Sequence, residues 1–277
     1  MKARRRQIST ARGVALVRAI EMTRAPGERI TADPYASRFV HPLSVHGMRL
    51  ASALGISRLI GVEGLMNFAL AREQQVTELI ERELRGGARQ IVVLGAGFDT
   101  RLYRLPEAAG VPVFEVDHPV TQEAKREALR GVVDPLPANV RFVGVDFDRN
   151  DLGERLRAGG YAETLRTLFV WQGVIMYLTP QGVDRTLRFI SEHAASGSAL
   201  VFDAMDREAT SRGAIKLFTD AMGEKVTFGM SAGEMVPYLK SRGFTDVEIV
   251  DAEAMRRRHL GERPIACGVY LVTSRVR

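Results

Sequence analysis

The sequence predicts an α/β protein in which a mostly parallel sheet is covered by helices and preceded by an N-terminal helical cap. Three observations predict this fold. Seven short apolar runs follow one another from residue 90 onward, and helical segments with recognisable start signals separate them. Before residue 88 the chain has helical patterns and no strand pattern. We therefore expect a cap over residues 1–87 and a core domain over residues 88–277.

The cap begins with a predicted helix that Ser9 and Thr10 cap and that continues to about Met22. Asp33 followed by Pro34 predicts the start of a second helix, because proline suits the first helical position. A third helical stretch spans roughly residues 66–85. These three helices make up the expected cap.

In the core, the apolar runs lack polar alternation, which indicates strands buried on both faces. The predicted strands are 91–94, 113–116, 140–145, 168–171, 199–202, about 247–250 and about 268–273. Thr179-Pro180 predicts one helix start, and the capping box from Ser231 to Glu234 predicts another, with that helix ending at Gly243. The connection over about 206–230 is long enough for an extra helix, which we expect to form a lid insertion over the site.

Composition narrows the class of protein. The chain has 277 residues, 45% hydrophobic and 26% charged, as in an ordinary globular protein. No run of about 18 apolar residues is present, and no apolar signal core follows the basic N-terminus, so we expect a cytoplasmic protein without a membrane partner. The single Cys267 lies in an apolar run and is predicted to be buried and inert. The net charge of +6 is weak support for nucleic-acid binding, and we expect no nucleic-acid partner.

The glycine turn after the first strand is the strongest site signal. Gly95-Ala96-Gly97 follows a buried strand, and such a turn lets backbone pass close to a ligand. Two cofactors fit it, a nicotinamide dinucleotide or S-adenosylmethionine. The third glycine of the dinucleotide fingerprint is Thr100 here, which weakens the first alternative.

Acidic residues end the next two strands. Asp117 can accept hydrogen bonds from both hydroxyls of a ribose. Asp146 can accept from an adenine amino group, and Phe147 can pack on the ring. Three successive strand ends with a glycine turn and two acids favour S-adenosylmethionine over a nicotinamide cofactor. No metal site is predicted.

Six segments together resemble the leucine carboxyl methyltransferase family, whose bacterial members include O-methyltransferases of small-molecule pathways. The segments are Ser9-Thr-Ala-Arg-Gly-Val-Ala15, Asp33-Pro-Tyr-Ala36, Val93-Leu-Gly-Ala-Gly-Phe-Asp-Thr-Arg101, Glu115-Val-Asp-His-Pro119, Val145-Asp-Phe147 and Trp171-Gln-Gly-Val-Ile-Met-Tyr-Leu-Thr-Pro180. The resemblance covers nearly the whole chain. It implies a class I methyltransferase fold, Rossmann-like, with seven strands of which the last is antiparallel.

The resemblance also implies the cofactor site. Arg72 matches the arginine that pairs with the methionyl carboxylate of S-adenosylmethionine, and Gln172 matches a position that often holds glutamate. Gln172 can meet the cofactor's ammonium group through its carbonyl but brings no negative charge. The full expected set of cofactor residues is Arg72, Gly95, Ala96, Gly97, Asp117, His118, Asp146, Phe147 and Gln172.

For catalysis the sequence offers Tyr177, His41 and His46 as candidates near an acceptor. A carboxylate acceptor needs no base, whereas a phenol has a pKa of about 10 and benefits from one. We therefore predict an S-adenosylmethionine-dependent O-methyltransferase acting on a small, largely apolar, natural-product-like acceptor. The alternatives are a methyltransferase of peptide C-terminal carboxyls, a nicotinamide-dependent oxidoreductase and a non-catalytic binding protein. A homodimer is left open.

Overall fold

A computed structural model describes residues 9–147, 149–209, 215–216 and 226–277. It contains one seven-stranded sheet. The strands are β1 (Gln90–Leu94), β2 (Val113–Asp117), β3 (Val140–Gly144), β4 (Thr167–Trp171), β5 (Ala199–Met205), β6 (Phe244–Asp251) and β7 (Val269–Val276). All seven predicted strands are therefore confirmed, most within one or two residues of the predicted ends.

The strand order is β3-β2-β1-β4-β5-β7-β6. Strands β1 to β5 are parallel, whereas β7 runs antiparallel to both β5 and β6. This is the sheet expected for the fold class. Because β1 pairs with β2 on one side and with β4 on the other, the strand order reverses at β1. Open parallel sheets bind ligands at such a reversal, outside the carboxyl ends of the strands.

Helices lie before the sheet and between its strands. They are α1 (Ser9–Glu21), α2 (Pro42–Ala53), α3 (Ile56–Leu59), α4 (Val62–Arg85), α5 (Pro119–Leu129), α6 (Leu152–Ala158), α7 (Pro180–His193), α8 (Ala232–Lys240) and α9 (Ala252–Met255). In the described residues, no helix has both the length and the apolarity needed to cross a membrane.

Alternating side chains of the strands form two cores, one on each face of the sheet. On one face Leu94, Phe114 and Trp171 pack in the same cluster as the apolar side of α7. On the other face Ile91 and Val170 pack in the same cluster as α4. Helix α4, which the sequence analysis assigned to the cap, therefore also supplies one layer of the sheet's packing.

Both predicted helix starts in the core are present. The Thr179 hydroxyl accepts a hydrogen bond from Gly182 N at 3.1 Å at the start of α7. At the start of α8, Ser231 and Glu234 form a reciprocal capping box. These caps satisfy backbone N–H groups that have no partner inside their own helix.

Some expectations were wrong. Asp33-Pro34 does not begin an α-helix, and only a short 3-10 turn forms at Ala36–Phe39. The Asp33 carboxylate does accept from Tyr35 N at 3.0 Å, as a cap residue would, but it also accepts from Arg18 Nε and the Thr100 hydroxyl. Cys267 is exposed rather than buried. Most of the lid insertion expected over 206–230 lies outside the described residues.

Candidate active site

A cavity opens at the carboxyl ends of β1 to β4, beside α1 and α4. It brings together all the residues expected to hold the cofactor and one of the three expected to act in catalysis. Those lining residues are Arg72, Gly95, Ala96, Gly97, Asp117, His118, Asp146, Phe147, Gln172 and Tyr177. Segments more than a hundred residues apart in the chain thus converge at the strand reversal.

The glycine turn forms the floor of this cavity. Gly95 has φ +68° and Gly97 has φ +48°, in the left-handed region that favours glycine. A Cβ atom on Gly95 would collide with the side chain of Val174, in the loop after β4. Glycine is therefore required at position 95 by the approach of a neighbouring loop as well as by the backbone angle.

Asp117 secures the turn from the end of β2. Its carboxylate accepts hydrogen bonds from Gly97 N and from His118 N, each at 2.6 Å. Burial raises the pKa of Asp117, although these two N–H donors pull the pKa down. The same carboxylate that would bind a ribose thus also joins the β1 turn to the β2 end.

Asp146 and Phe147 follow β3 at the same edge. Asp146 N donates to Asn150 Oδ1 at 2.8 Å, which fixes the loop that carries both side chains. The side chain of Asp146 is partly exposed, and Phe147 is half-buried against the core. An acid beside an aromatic ring at this edge suits an adenine.

Arg72 reaches the cavity from α4 and is buried. Its Nη1 donates to Asp203 Oδ2 at 2.5 Å, and Asp203 Oδ1 accepts from Gly173 N at 2.6 Å. Among the described residues Arg72 Nε has no hydrogen-bond partner. Asp203 was missed by the sequence analysis, although a single acid inside the apolar strand β5 is a signal of a buried charge partner.

Arg101 is a second buried arginine in the lining that the sequence analysis did not single out. Its Nη2 donates to Asp99 Oδ2 at 3.1 Å and to Gln172 Oε1 at 2.8 Å. The carbonyl of Gln172, expected to meet the cofactor's ammonium, therefore already accepts from Arg101. Burial alone would raise the pKa of Asp99, but the charges of Arg101, Arg18 and Lys125 lower it to about 2.

Arg18, the third arginine of the lining, fastens α1 to the core. It donates to Asp33 Oδ2 at 2.9 Å and to the carbonyl of Phe98 at 2.6 Å, and it lies 3.4 Å from Glu73 Oε2. Burial opposes the guanidinium charge, but Glu73, Asp33 and Asp99 raise the pKa of Arg18 overall. Helix α1 is thereby held where Thr10, Ala11 and Val14 line the cavity.

The histidines do not supply the expected base at the cavity. His41 and His46 are exposed and lie outside its lining. His41 Nδ1 caps α2 by accepting from Leu43 N, and His46 Nδ1 lies 2.9 Å from the carbonyl of Pro42. Among the described residues His118 alone of the histidines lines the cavity, and its Nδ1 accepts from Val120 N at the start of α5. Tyr177 lines the cavity on the 3-10 turn Ile175–Tyr177.

The donors and acceptors at this edge fit S-adenosylmethionine. Asp117 and Asp146 provide carboxylate acceptors for the ribose hydroxyls and the adenine amino group. Two guanidinium groups lie next to the Gln172-Gly173 segment, that of Arg101 at Gln172 and that of Arg72 at Gly173, and such groups suit a carboxylate. Arg72 and Arg101 each keep N–H groups without a hydrogen-bond partner among the described residues, so both can still donate to a bound carboxylate.

Comparisons with known proteins agree with this arrangement. The leucine carboxyl methyltransferase family model matches residues 11–191. A protein from Mycolicibacterium vanbaalenii is 32% identical over 210 residues, covering 73% of this chain and 68% of that protein. One from Mycolicibacterium smegmatis is 34% identical over 212 residues, covering 75% and 70%. Each carries the name "Putative S-adenosyl-L-methionine-dependent methyltransferase".

Solved structures resemble this fold at low sequence identity. A DUF574 family protein from Streptomyces avermitilis has a TM-score of 0.61 at 14% identity, covering 96% of this chain and 97% of that one. An O-methyltransferase family protein from Burkholderia thailandensis has a TM-score of 0.51 at 15% identity, covering 76% and 58%. These similarities concern the fold.

Proposed function

This chain belongs to the leucine carboxyl methyltransferase family and is an S-adenosylmethionine-dependent methyltransferase, and from that premise we propose that it methylates an oxygen atom of a small, largely apolar acceptor. The alternative of a nicotinamide-dependent oxidoreductase is dropped, because the relatives of this chain are S-adenosylmethionine-dependent methyltransferases. The observation that supports the proposal is the apolar part of the cavity lining. Val14, Val174 and Leu178 line the cavity together with Tyr177.

The cofactor supplies an electrophilic methyl group on a sulfonium, so catalysis depends on placing the acceptor oxygen in line with it. In this proposal Asp117 and Asp146 hold the adenosyl end, and Arg72 and Arg101 provide positive charge for the amino-acid end. Tyr177 orients the acceptor oxygen through its hydroxyl. The apolar side chains exclude water and hold an apolar acceptor body.

An oxygen acceptor is favoured by the family description, which names a carboxyl group. A carboxylate arrives ionised and needs no general base. Among the described residues, the lining side chains that carry an imidazole or a carboxylate are His118, Asp99, Asp117 and Asp146. Each of them is engaged in a backbone or ion-pair contact. We therefore propose a small-molecule carboxylic acid as the first candidate acceptor and a hydroxyl compound as the second. A peptide C-terminal carboxyl is the alternative acceptor.

Transfer of isotopically labelled methyl to a panel of acceptors tests the proposal. The panel contains apolar carboxylic acids, phenols, aliphatic alcohols, amines, thiols and short peptides with free or amidated C-termini. Mass spectrometry before and after mild alkali separates an ester, which loses the methyl group, from an ether, which keeps it. We expect turnover with a small apolar acid or hydroxyl compound.

Tyr177→Phe provides the matched control, since it removes only the hydroxyl that is assigned to the acceptor. We expect it to lower kcat while leaving the affinity for S-adenosylhomocysteine unchanged. Turnover confined to amines, thiols or carbon acceptors would refute an oxygen acceptor. Turnover of free but not amidated peptides, without turnover of small acids, would establish the alternative.

A further inference from the structure

The cap carries an exposed apolar surface that the methyltransferase site does not use. We define the cap apolar surface as Leu43, Leu50, Leu54, Ile56, Leu59 and Ile60, on α2, α3 and the turns beside them. Among the described residues, only Val132 and Leu165 are large hydrophobic side chains of comparable exposure elsewhere. The exposed apolar groups are thus concentrated in eighteen residues of sequence. Contiguous surfaces of this kind mark interaction sites.

Helix α2 has its apolar stripe facing outward. Leu43, Leu50 and Leu54 are 73%, 62% and 65% exposed, and their spacing of seven and four residues places them along one side of the helix. All of α2 is described and none of its residues is buried. Its half-buried residues are Val45, Met48 and Ala51, and the two larger side chains, Val45 and Met48, lie on the opposite side. Packing on the rest of the protein therefore does not account for the outer leucines.

The charged side chains within this segment are all basic, and Glu63, just after it, lines a cleft with Arg58. Residues 34–62 contain Arg38, Arg49 and Arg58 but no aspartate or glutamate. All three arginines are exposed, and none of them has a carboxylate partner within the described part of the chain. An apolar stripe on one face with arginines on the polar face is typical of helices that lie on anionic membranes.

We propose that the cap apolar surface binds the surface of an anionic lipid bilayer. Leucine and isoleucine side chains enter the boundary between head groups and acyl chains, and Arg49 and Arg58 meet lipid phosphates. Helix α2, with 12 residues, is about 18 Å long, which is too short to span the roughly 30 Å hydrocarbon layer. The proposed binding is therefore peripheral. The expectation of no membrane partner rested on the lack of a spanning or signal segment, and peripheral binding needs neither.

Charge argues against a second copy of the chain as the occupant. A symmetric dimer through this surface brings the same patch of both copies together. Each copy would then add Arg49 and Arg58 to an interface to which residues 34–62 contribute no acidic residue. An anionic lipid surface instead gives each of these cations a phosphate.

Vesicle co-sedimentation of the full chain tests the proposal. We compare vesicles of phosphatidylcholine alone with vesicles of phosphatidylcholine mixed with phosphatidylglycerol, at low and high salt. We expect binding to the anionic vesicles only, weakened by salt. Leu50→Asn with Leu54→Asn should weaken it by about tenfold or more. Arg49→Gln with Arg58→Gln should weaken it by about 30-fold.

Matched controls use exposed residues outside the surface. Leu165→Asn removes an exposed leucine, and Arg130→Gln with Arg155→Gln removes two exposed arginines. We expect both controls to bind vesicles as the wild type does. Absence of sedimentation with phosphatidylglycerol, or an equal loss in the controls, would overturn the proposal. A dimer in analytical ultracentrifugation that Leu50→Asn with Leu54→Asn dissociates would assign the surface to a second copy and overturn it as well.

Discussion

Arg72 serves two purposes that its sequence motif does not separate. The resemblance assigns it to the methionyl carboxylate, whereas the structure gives it a buried carboxylate partner of its own, Asp203. Asp203 in turn holds the loop after β4 through Gly173 N. Loss of cofactor binding in an Arg72 variant would therefore not by itself distinguish a missing ligand contact from a displaced loop.

A double-mutant cycle separates the two roles. Arg72→Met leaves the buried Asp203 without its cation, and we expect a loss of about 3–5 kcal/mol in the free energy of unfolding. Adding Asp203→Asn should restore much of that stability, measured by urea denaturation. If Arg72 also holds the methionyl carboxylate, the double variant binds 5′-methylthioadenosine normally but S-adenosylhomocysteine weakly. Wild-type affinity for both compounds would show that Arg72 acts only through the loop.

Asp117 is expected to make cofactor affinity depend on pH. Hydrogen bonds from ribose hydroxyls favour the ionised carboxylate, and burial raises the pKa of Asp117. Affinity for S-adenosylhomocysteine should therefore be full above the raised pKa and should fall as the pH decreases through it. Asp117→Ala should cost about 1–3 kcal/mol of binding free energy and should remove this pH dependence.

Calorimetric titration of wild type and Asp117→Ala across the acidic range measures both effects. Because Asp117 also holds Gly97 N and His118 N, thermal unfolding of each variant is followed in parallel. An unchanged affinity in the folded Asp117→Ala protein would contradict the assignment to the ribose.

At the scale of elements, the β1 turn and the loop after β4 constrain each other. We expect Gly95→Ala to destabilise the protein and weaken cofactor binding, because the new methyl group meets Val174 and the backbone has φ +68°. Combining it with Val174→Ala should recover part of the stability, since the collision is removed while the backbone strain remains. Thermal unfolding and titration with S-adenosylhomocysteine measure both quantities. Equal losses in the single and double variants would mean that Val174 plays no part.

The elements were predictable where their signals are local. Strands buried on both faces give continuous apolar runs, and the capping residues Thr179 and Ser231 mark helix starts within four residues of sequence. At Asp33-Pro34 the local bond that the cap signal predicts does form, from Tyr35 N to the Asp33 carboxylate, but only a short 3-10 turn follows it. The sequence did not predict α2, because His41, which caps it before Pro42, is not one of the usual N-cap residues. It did not predict α3, because that helix has no side-chain cap.

The candidate site was predictable where its residues follow strands in order. The glycine turn, Asp117 and Asp146 lie at ends of strands that the topology places side by side. The buried partner of Arg72 lies 131 residues away, and no local pattern reports such a distance. Arg101 is the last residue of the motif Val93–Arg101, but the motif gives no sign of its contact with Gln172, 71 residues away.

At the scale of the whole molecule, the cap and the core are joined by buried charges beside the cavity. Arg18 links α1 to Asp33, to Glu73 on α4 and to the carbonyl of Phe98 after the glycine turn. A well-paired charge in this position fixes one arrangement of the two regions, because without Arg18 the buried Asp33 would lose its ion pair and the buried Glu73 would keep only Arg104, at 3.5 Å. The shape of the cavity therefore depends on a network that need not touch the ligand.

We expect Arg18→Met to weaken cofactor binding through the position of α1. The variant leaves Asp33 and Glu73 without their shared cation, so the free energy of unfolding should fall by about 3–5 kcal/mol. If α1 is docked for only about a tenth of the time, affinity for S-adenosylhomocysteine falls about tenfold, in proportion to the docked fraction. Hydrogen exchange should increase in α1 more than in the strands.

Arg275→Met is the matched control for this prediction. Arg275 pairs with Glu83 through two hydrogen bonds of 2.9 Å and joins β7 to α4, and neither residue lines the cavity. This variant should lower stability while leaving the affinity for S-adenosylhomocysteine and the exchange of α1 unchanged. If both variants reduce affinity equally, the effect is one of global stability. If Arg18→Met lowers stability but leaves the affinity for S-adenosylhomocysteine unchanged, α1 does not shape the cofactor site. The cavity is then complete without the cap helix.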